Sequence, residues 1–211
     1  MANTTAVLLA AGAGTRLGHG PKALLPFRGG TLVEHAAAVL RDGGCSDVVV
    51  VVGAGAAEVA ALQQPGSALA GCRLVRNDDW ASGMGGSFHL GVESMRAGHN
   101  VLVALVDQPG VSPALVARLN AAHRPGRITA AGYHGATGGL HRGHPIIFDP
   151  LLAVQAAAIS NGDVGARDFL RSHPELIDLV DCIDLFDGAD LDTESDLHLL
   201  GGPAASGATG G

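Results

Sequence analysis

The chain has 211 residues, 47% hydrophobic and 16% charged, which suits one α/β domain with a sizeable core and excludes a disordered chain. Thirteen basic against twenty acidic residues leave a formal charge of −7, which excludes the broadly basic surface that nonspecific nucleic-acid binding needs. A phosphate ligand must therefore meet local positive charge or a metal, and no apolar run approaches the roughly 18 residues of a membrane span.

The first apolar run, residues 6–11, has strand length and leads into Gly12, Gly14, Gly18 and Gly20, with Arg16 and Lys22 beside them. Without a Cβ, glycine lets backbone N–H groups approach an anion closely. An Arg at such a turn grips two phosphate oxygens, and a Lys adds a point charge. This is a kit for holding a polyphosphate. It is not the dinucleotide fingerprint, because Gly12, Gly14 and Gly18 give G-x-G-x-x-x-G. The second strand, 47–52, also runs into Gly53, Ala54 and Gly55, where that fingerprint expects an acid. Nor is it a Walker loop, since Pro21 and Ala23 flank Lys22. A flexible turn with two solvated basic residues is the alternative.

A helix is predicted over 31–41, with Thr31 as N-cap and Glu34 as its partner in a capping box. Strand 47–52 precedes a helix over 56–63, and strand 73–75 leads through 77–87 to a helix over 87–96. Strand 101–106 ends at Asp107. A helix over 113–122, strands 128–131 and 146–148, and helices 151–158 and 166–172 follow. Fully apolar strands separated by helices imply a parallel sheet covered on both faces, with ligands at the carboxyl ends of the strands. The glycine loop, the 77–87 segment and Asp107 should then face one crevice. Aromatics are only 3%, so aliphatic side chains must fill the core. Cys45, Cys72 and Cys182 form no C-x-x-C pair, which points to reduced thiols in a cytoplasmic protein; the N-terminus also lacks a secretory pattern. Residues 1–200 are expected to form a single domain, and the Gly/Ala-rich 201–211 a flexible tail.

The motif LAAGxGxRLG followed by PK resembles the signature of the nucleotidyltransferases related to the molybdenum cofactor guanylyl- and cytidylyltransferases (the MobA/MocA-like family). NDDWASGMGGS, 77–87, resembles that family's N-x-x-W-x-x-G-M-x-x-S segment, and VDQPGV, 106–111, its metal-site segment. GHPIIF, 143–148, and GDVGAR, 162–167, match further blocks in order. DLDTESDL, 190–197, resembles the terminal D-[ILV]-D-T-x-x-D-[LY] block, so the similarity spans roughly residues 5–200. The resemblance implies a three-layer, mostly parallel sheet with helices on both faces, nucleotide-diphospho-sugar transferase-like and Rossmann-like.

Nucleotidyl transfer needs a held triphosphate, neutralised developing charge and an acceptor phosphate aligned with the α-phosphorus. Arg16, Lys22 and Asp107 are the expected catalytic residues. The amides of Ala13, Gly14 and Thr15, with Arg16 and Lys22, would hold the triphosphate. Asp107 would bind Mg²⁺, with Asp192 as second ligand by resemblance and Asp163 in reserve. Leu9, Ala10, Ala11 and Gly12 would form the nucleotide wall, and Asn77 would hydrogen-bond the nucleotide. Ser82, Gly83, Ser87 and His144 would shape the acceptor side. An Ala at the third position of LAAG goes with cytidine enzymes in the resembling family, so Ala11 implies CTP. Asp107 before Gln-Pro also suits a turn, and Asp190, Asp192, Glu194 and Asp196 also suit a solvated helix start. His141 and His144 as a metal pair lack further ligands. Trp80 either stacks on a heteroaromatic ligand or caps the sheet.

The leading expectation is a transferase that moves CMP from CTP to a phosphorylated acceptor, molybdopterin by resemblance, and releases pyrophosphate. A molybdenum hydroxylase is then the expected protein partner, with no nucleic acid or membrane. The resembling superfamily also contains proteins described as nicotine blue oxidoreductase, FMN- and NAD(P)H-dependent reductases of a quinone-like pigment. Residues 42–55 and the run from 123 onward look at home in that subgroup, with FMN phosphate on Arg16 and Lys22. A noncatalytic molybdenum cofactor carrier is the third reading.

Overall fold

The computed structural model describes residues 3–134, 138–160, 162 and 165–201. The apolar run at the N-terminus becomes β1 (Thr4–Ala10), buried along its whole length. A small hairpin of β2 (Pro26–Phe27) and β3 (Gly30–Thr31) follows the glycine loop. Its two central residues, Arg28 at φ 49° and Gly29 at φ 84°, are both left-handed, as a primed hairpin turn requires. Strands of two residues carry no periodicity, so this hairpin left no mark in the sequence pattern.

Six further strands are β4 (Asp47–Val52), β5 (Arg73–Arg76), β6 (Asn100–Leu105), β7 (Ile128–His134), β8 (Leu140–Phe148) and β9 (Ile177–Asp181), which with β1 make one seven-stranded sheet in the order β5-β4-β1-β6-β8-β7-β9. The sheet is parallel except for β8, which runs against both β6 and β7. The sheet is mostly parallel, as expected, and β8 is the exception for a simple reason. Only residues 135–139 separate β7 from β8, and a parallel crossover needs a dozen or more. The edge strand β9 reads IDLVD, half-exposed, and its polar residues hid it from a search for apolar runs.

Helices α1 (Leu32–Asp42), α2 (Ala56–Ala61) and α4 (Pro113–Ala122) cover one face of the sheet, against Leu8, Val50 and Leu102. Helices α3 (Met84–Glu93), α5 (Pro150–Ile159) and α6 (Arg167–Ser172) cover the other, against Val7, Val51 and Phe148. Alternation along each strand sends successive side chains to the two cores, which is why every strand residue here can be apolar. The capping box at α1 forms as read: Thr31 Oγ1 accepts from the Glu34 amide, and the Thr31 amide donates to Glu34 Oε2 at 3.0 Å. At Gly91 a Cβ would collide with Val7, so glycine lets α3 lie close on β1. Among the described residues no helix is long and apolar enough to cross a membrane. The three cysteines are free and buried, and burial pushes the Cys45 thiol up to about 12. Residues 202–211 of the expected tail lie outside the described residues.

Candidate functional site

A cleft of about 1020 Å³ opens at the carboxyl ends of β1 and β6. Residues 11–16 of the glycine loop form one rim. The loop is anchored by Leu17, which is buried, and tightened by the Leu17 and Gly18 amides donating to the Gly14 carbonyl. Gly14 has φ 65°, and a Cβ there would strike the Gly20 carbonyl oxygen. No backbone amide from Gly12 to Arg16 donates a hydrogen bond within the described protein. A run of free amides beside a cation is an anion-binding arrangement.

Lys22 enters the cleft from the short 3-10 turn Lys22–Leu24. Its Nζ donates to Asp107 Oδ2 at 2.9 Å and to Asp192 Oδ1 at 2.6 Å. Burial by itself would lower the Lys22 ammonium, but the two carboxylates outweigh it and hold the group above its ordinary value. Asp107 follows β6, where Val106 donates to the Leu9 carbonyl and so ties the strand end to β1. Asp192 is carried to the same place by the C-terminal segment. The Leu191 amide donates to the Asp107 carbonyl at 2.8 Å, and the Leu191 side chain is fully buried. Asp107 Oδ1 is buried and has no hydrogen-bond partner among the described residues.

The remaining acids of the terminal block divide by role. Asp196 accepts from the amides of Asp192 and Thr193, and the Thr193 hydroxyl and these amides hold its carboxyl below the usual range. It shapes the turn that presents Asp192. Asp190 accepts from Gln108 Nε2 at 2.8 Å. Loss of solvent raises the Asp190 carboxyl; the Gln108 bond opposes this and is outweighed, with Asp107 and Asp192 adding to the rise. Asp163 lies outside the described residues.

The opposite wall comes from β8 and α6. The β7–β8 register passes from Ala130 opposite Ile146 to Ala131 opposite Gly143, which leaves His144 and Pro145 as extra residues on β8. Such a bulge re-aims side chains, and His144 lines the cleft there. Burial first, and then Arg142 and Arg167, push the His144 imidazole down to about 4. The ring is therefore neutral near pH 7. The Tyr133 hydroxyl donates to the His144 carbonyl at 2.6 Å.

Of the residues named from the sequence, Leu9, Ala11, Gly12, Ala13, Gly14, Thr15, Arg16, Lys22, Gly83, Ser87, Asp107, His144 and Asp192 line the cleft. Trp80 and His141 also line it. Three expected residues do not. Ala10 alternates away from Leu9 and packs into the core under α1 and α2. Asn77 is buried and works within its own loop, donating to Ser87 Oγ at 3.0 Å and accepting from the Asp79 amide. Ser82 is exposed and donates to the Asp79 carbonyl. Sequence reasoning passed over Gln108, Tyr133, Arg142, Arg167 and Asp190, which line the cleft too. Gln108 and Asp190 were within quoted motifs, and Arg167 ended one. Among the described residues no group of three or more His, Cys, Asp or Glu side chains is placed to hold a metal.

The MobA-like NTP transferase domain profile matches residues 6–176, and the chain belongs to that family. It is an enzyme of the nucleotidyltransferase kind, and its sheet is nucleotide-diphospho-sugar transferase-like. A protein from Paenarthrobacter nicotinovorans named nicotine blue oxidoreductase is 50% identical over 198 residues, 93% of this chain and 95% of that one. A nucleotidyl transferase structure from Methanothermobacter thermautotrophicus superposes with a TM-score of 0.77 at 25% identity, over 94% of this chain and 96% of that one. Rv0371c from Mycobacterium tuberculosis H37Rv, solved in complex with manganese, gives a TM-score of 0.74 at 27% identity, over 95% of this chain and 99% of that one.

Proposed function

We propose that the cleft transfers CMP from CTP to a phosphorylated acceptor, molybdopterin or a close relative, and releases pyrophosphate. The observation that carries this reading is Lys22 bonded to both Asp107 and Asp192 beside a rim of free amides. An oxygen of the acceptor phosphate attacks the α-phosphorus. The bond from that phosphorus to the α–β bridging oxygen breaks, and pyrophosphate leaves with its electron pair. The amides of residues 12–16 and Arg16 hold the β- and γ-phosphates, while Leu9 and Ala11 leave room for the base. Lys22 moves from its carboxylates to the phosphates as the triphosphate arrives. The neutral His144 orients the acceptor by hydrogen bonding, and Ser87 lies on the same side.

The residues fit a divalent cation. Asp107 and Asp192 are hard oxygen donors side by side on one ammonium, and Asp107 Oδ1 is buried with no hydrogen-bond partner. Mg²⁺ takes one or two carboxylates plus phosphate oxygens and water, so two carboxylates are enough. When bound, the ion would neutralise charge developing on the leaving pyrophosphate. The manganese complex of Rv0371c supports a divalent ion in this family. The protein is taken to act in the cytoplasm as one catalytic unit over 1–200, with a molybdenum hydroxylase downstream. Folded protein incubated with labelled CTP, Mg²⁺ and molybdopterin is expected to release pyrophosphate. No release with CTP, GTP or ATP would exclude the reading.

The 50% identity to a protein named nicotine blue oxidoreductase favours a second reading, an FMN- and NAD(P)H-dependent reductase using the same cleft. A yellow preparation that oxidises NADH with a quinone would support it. A colourless protein that ignores added FMN would remove it.

A further inference from the structure

Thirteen basic side chains stand against a net charge of −7, so acidic partners are plentiful. Eight of the thirteen are ion-paired. Arg41 donates to backbone carbonyls, and Arg28 lies 4.9 Å over the Phe27 ring. The three left, Arg16, Arg142 and Arg167, have no ion pair, hydrogen bond or ring contact among the described residues, and all three line the cleft. Arg16 belongs to the glycine loop. Arg142 and Arg167 come from β8 and α6, and both line the same cleft as His144. They are close enough that each charge bears on His144, and Arg167 helps lower the Arg142 guanidinium after desolvation has done so. Two like charges lining one cleft, with no ion pair among the described residues, are relieved when an anion enters. The planar guanidinium fork suits a tetrahedral phosphate, which two arginines can grip from two sides.

We propose that Arg142 and Arg167 form a second anion subsite, distinct from the triphosphate loop, that binds the phosphomonoester of the second ligand. This rests on the transferase reading only for the source of that group, which is then the acceptor phosphate. Under the reductase reading the same pair, in place of Arg16 and Lys22, holds the phosphate of FMN. The neutral His144 beside them offers hydrogen bonds without adding a third charge. The Arg171 side chain, on the same helix, is paired with Asp168 and takes no part.

The test titrates phenyl phosphate, a simple phosphomonoester, into protein saturated with CTP and Mg²⁺, followed by calorimetry. The R142Q/R167Q double variant is expected to bind it at least about tenfold more weakly, the loss of a charge-assisted contact. Arg171→Gln is expected to bind as wild type does. CTP affinity is expected to stay within about twofold in the double variant. The lysine variants, which keep charge but lose the fork, are expected to fall between, and they serve if the glutamine variants do not fold. An unchanged phenyl phosphate affinity overturns the subsite, as does a wild type that binds none. An equal loss of CTP affinity overturns it too, because the pair then serves the nucleotide tail. Titration with FMN separates the sources. FMN binding that falls with the double variant supports the subsite as a flavin site, and phenyl phosphate binding without FMN binding supports it as an acceptor site. Wild type that binds no CTP while the phenyl phosphate loss persists sinks the transferase reading and leaves the subsite standing.

Discussion

The two walls of the cleft treat charge in opposite ways. On the wall built from β1, β6 and the C-terminal segment, Lys22 is satisfied by Asp107 and Asp192. On the wall built from β8 and α6, Arg142 and Arg167 have no ion pair among the described residues. Lys22 on the first wall is neutralised by its own acids, so a ligand that reaches it must exchange partners. The second is left unsatisfied, so an anion gains directly on arrival. Exchange suits a reacting centre, where charge has to be rearranged. A fixed unsatisfied pair suits recognition of a group that does not react.

The hardest blow to this contrast would come from Lys22→Ala. Turnover is expected to fall by roughly two to three powers of ten if the lysine meets transition-state charge. The same variant frees two carboxylates, so Mn²⁺ binding without nucleotide is expected to tighten roughly tenfold, read by calorimetry. Loss of turnover with unchanged metal affinity would mean that the lysine and the ion do not share a place.

Next is Gly14→Val, which forces a side chain into a left-handed position against the Gly20 carbonyl. CTP affinity is expected to drop about tenfold or more by fluorescence titration. Phenyl phosphate binding on the other wall should be preserved. A joint loss would show that the walls are one unit.

The pH dependence of stability sharpens the second wall. The folded His144 is pushed down to about 4, while an unfolded histidine titrates near 6.5. Between those values the unfolded chain takes up a proton that the folded chain refuses. His144 therefore lowers stability as the pH falls from about 6.5 towards 4 and has no further effect below. His144→Gln is expected to flatten that part of the urea-midpoint curve relative to wild type. Parallel curves for the two proteins would show that the imidazole titrates normally.

The smallest expected effect lies away from both walls. Thr31→Ala removes half of the α1 capping box and should cost about 1 kcal/mol of stability in urea unfolding. Turnover should not change, so a loss there would tie α1 to the site.

What could be read along the chain was local. Residues 6–11 and 48–52 announced strands because every side chain is apolar, and Thr31 and Glu34 announced a helix start because their spacing closes a cap. The glycine loop announced a tight turn because left-handed backbone selects glycine, as at Gly14, Gly18 and Gly20. Motif order alone brought in Asp192, and the structure then set it 2.6 Å from Lys22. Asn77 and Ser82 sat in a well-matched motif yet serve their own loop, because a motif records which residues recur and not which way they point.

The sequence by itself determined the apolar strands, the α1 cap and the glycine loop, since those depend on neighbours a few residues away. Only the tertiary structure decided that Lys22 joins partners 85 and 170 residues distant, that β8 reverses, and that Arg142 and Arg167 line one cleft. Partnership between charges depends on where strands are ordered in the sheet, and strand order is set by the packing of whole faces rather than by any local run of residues.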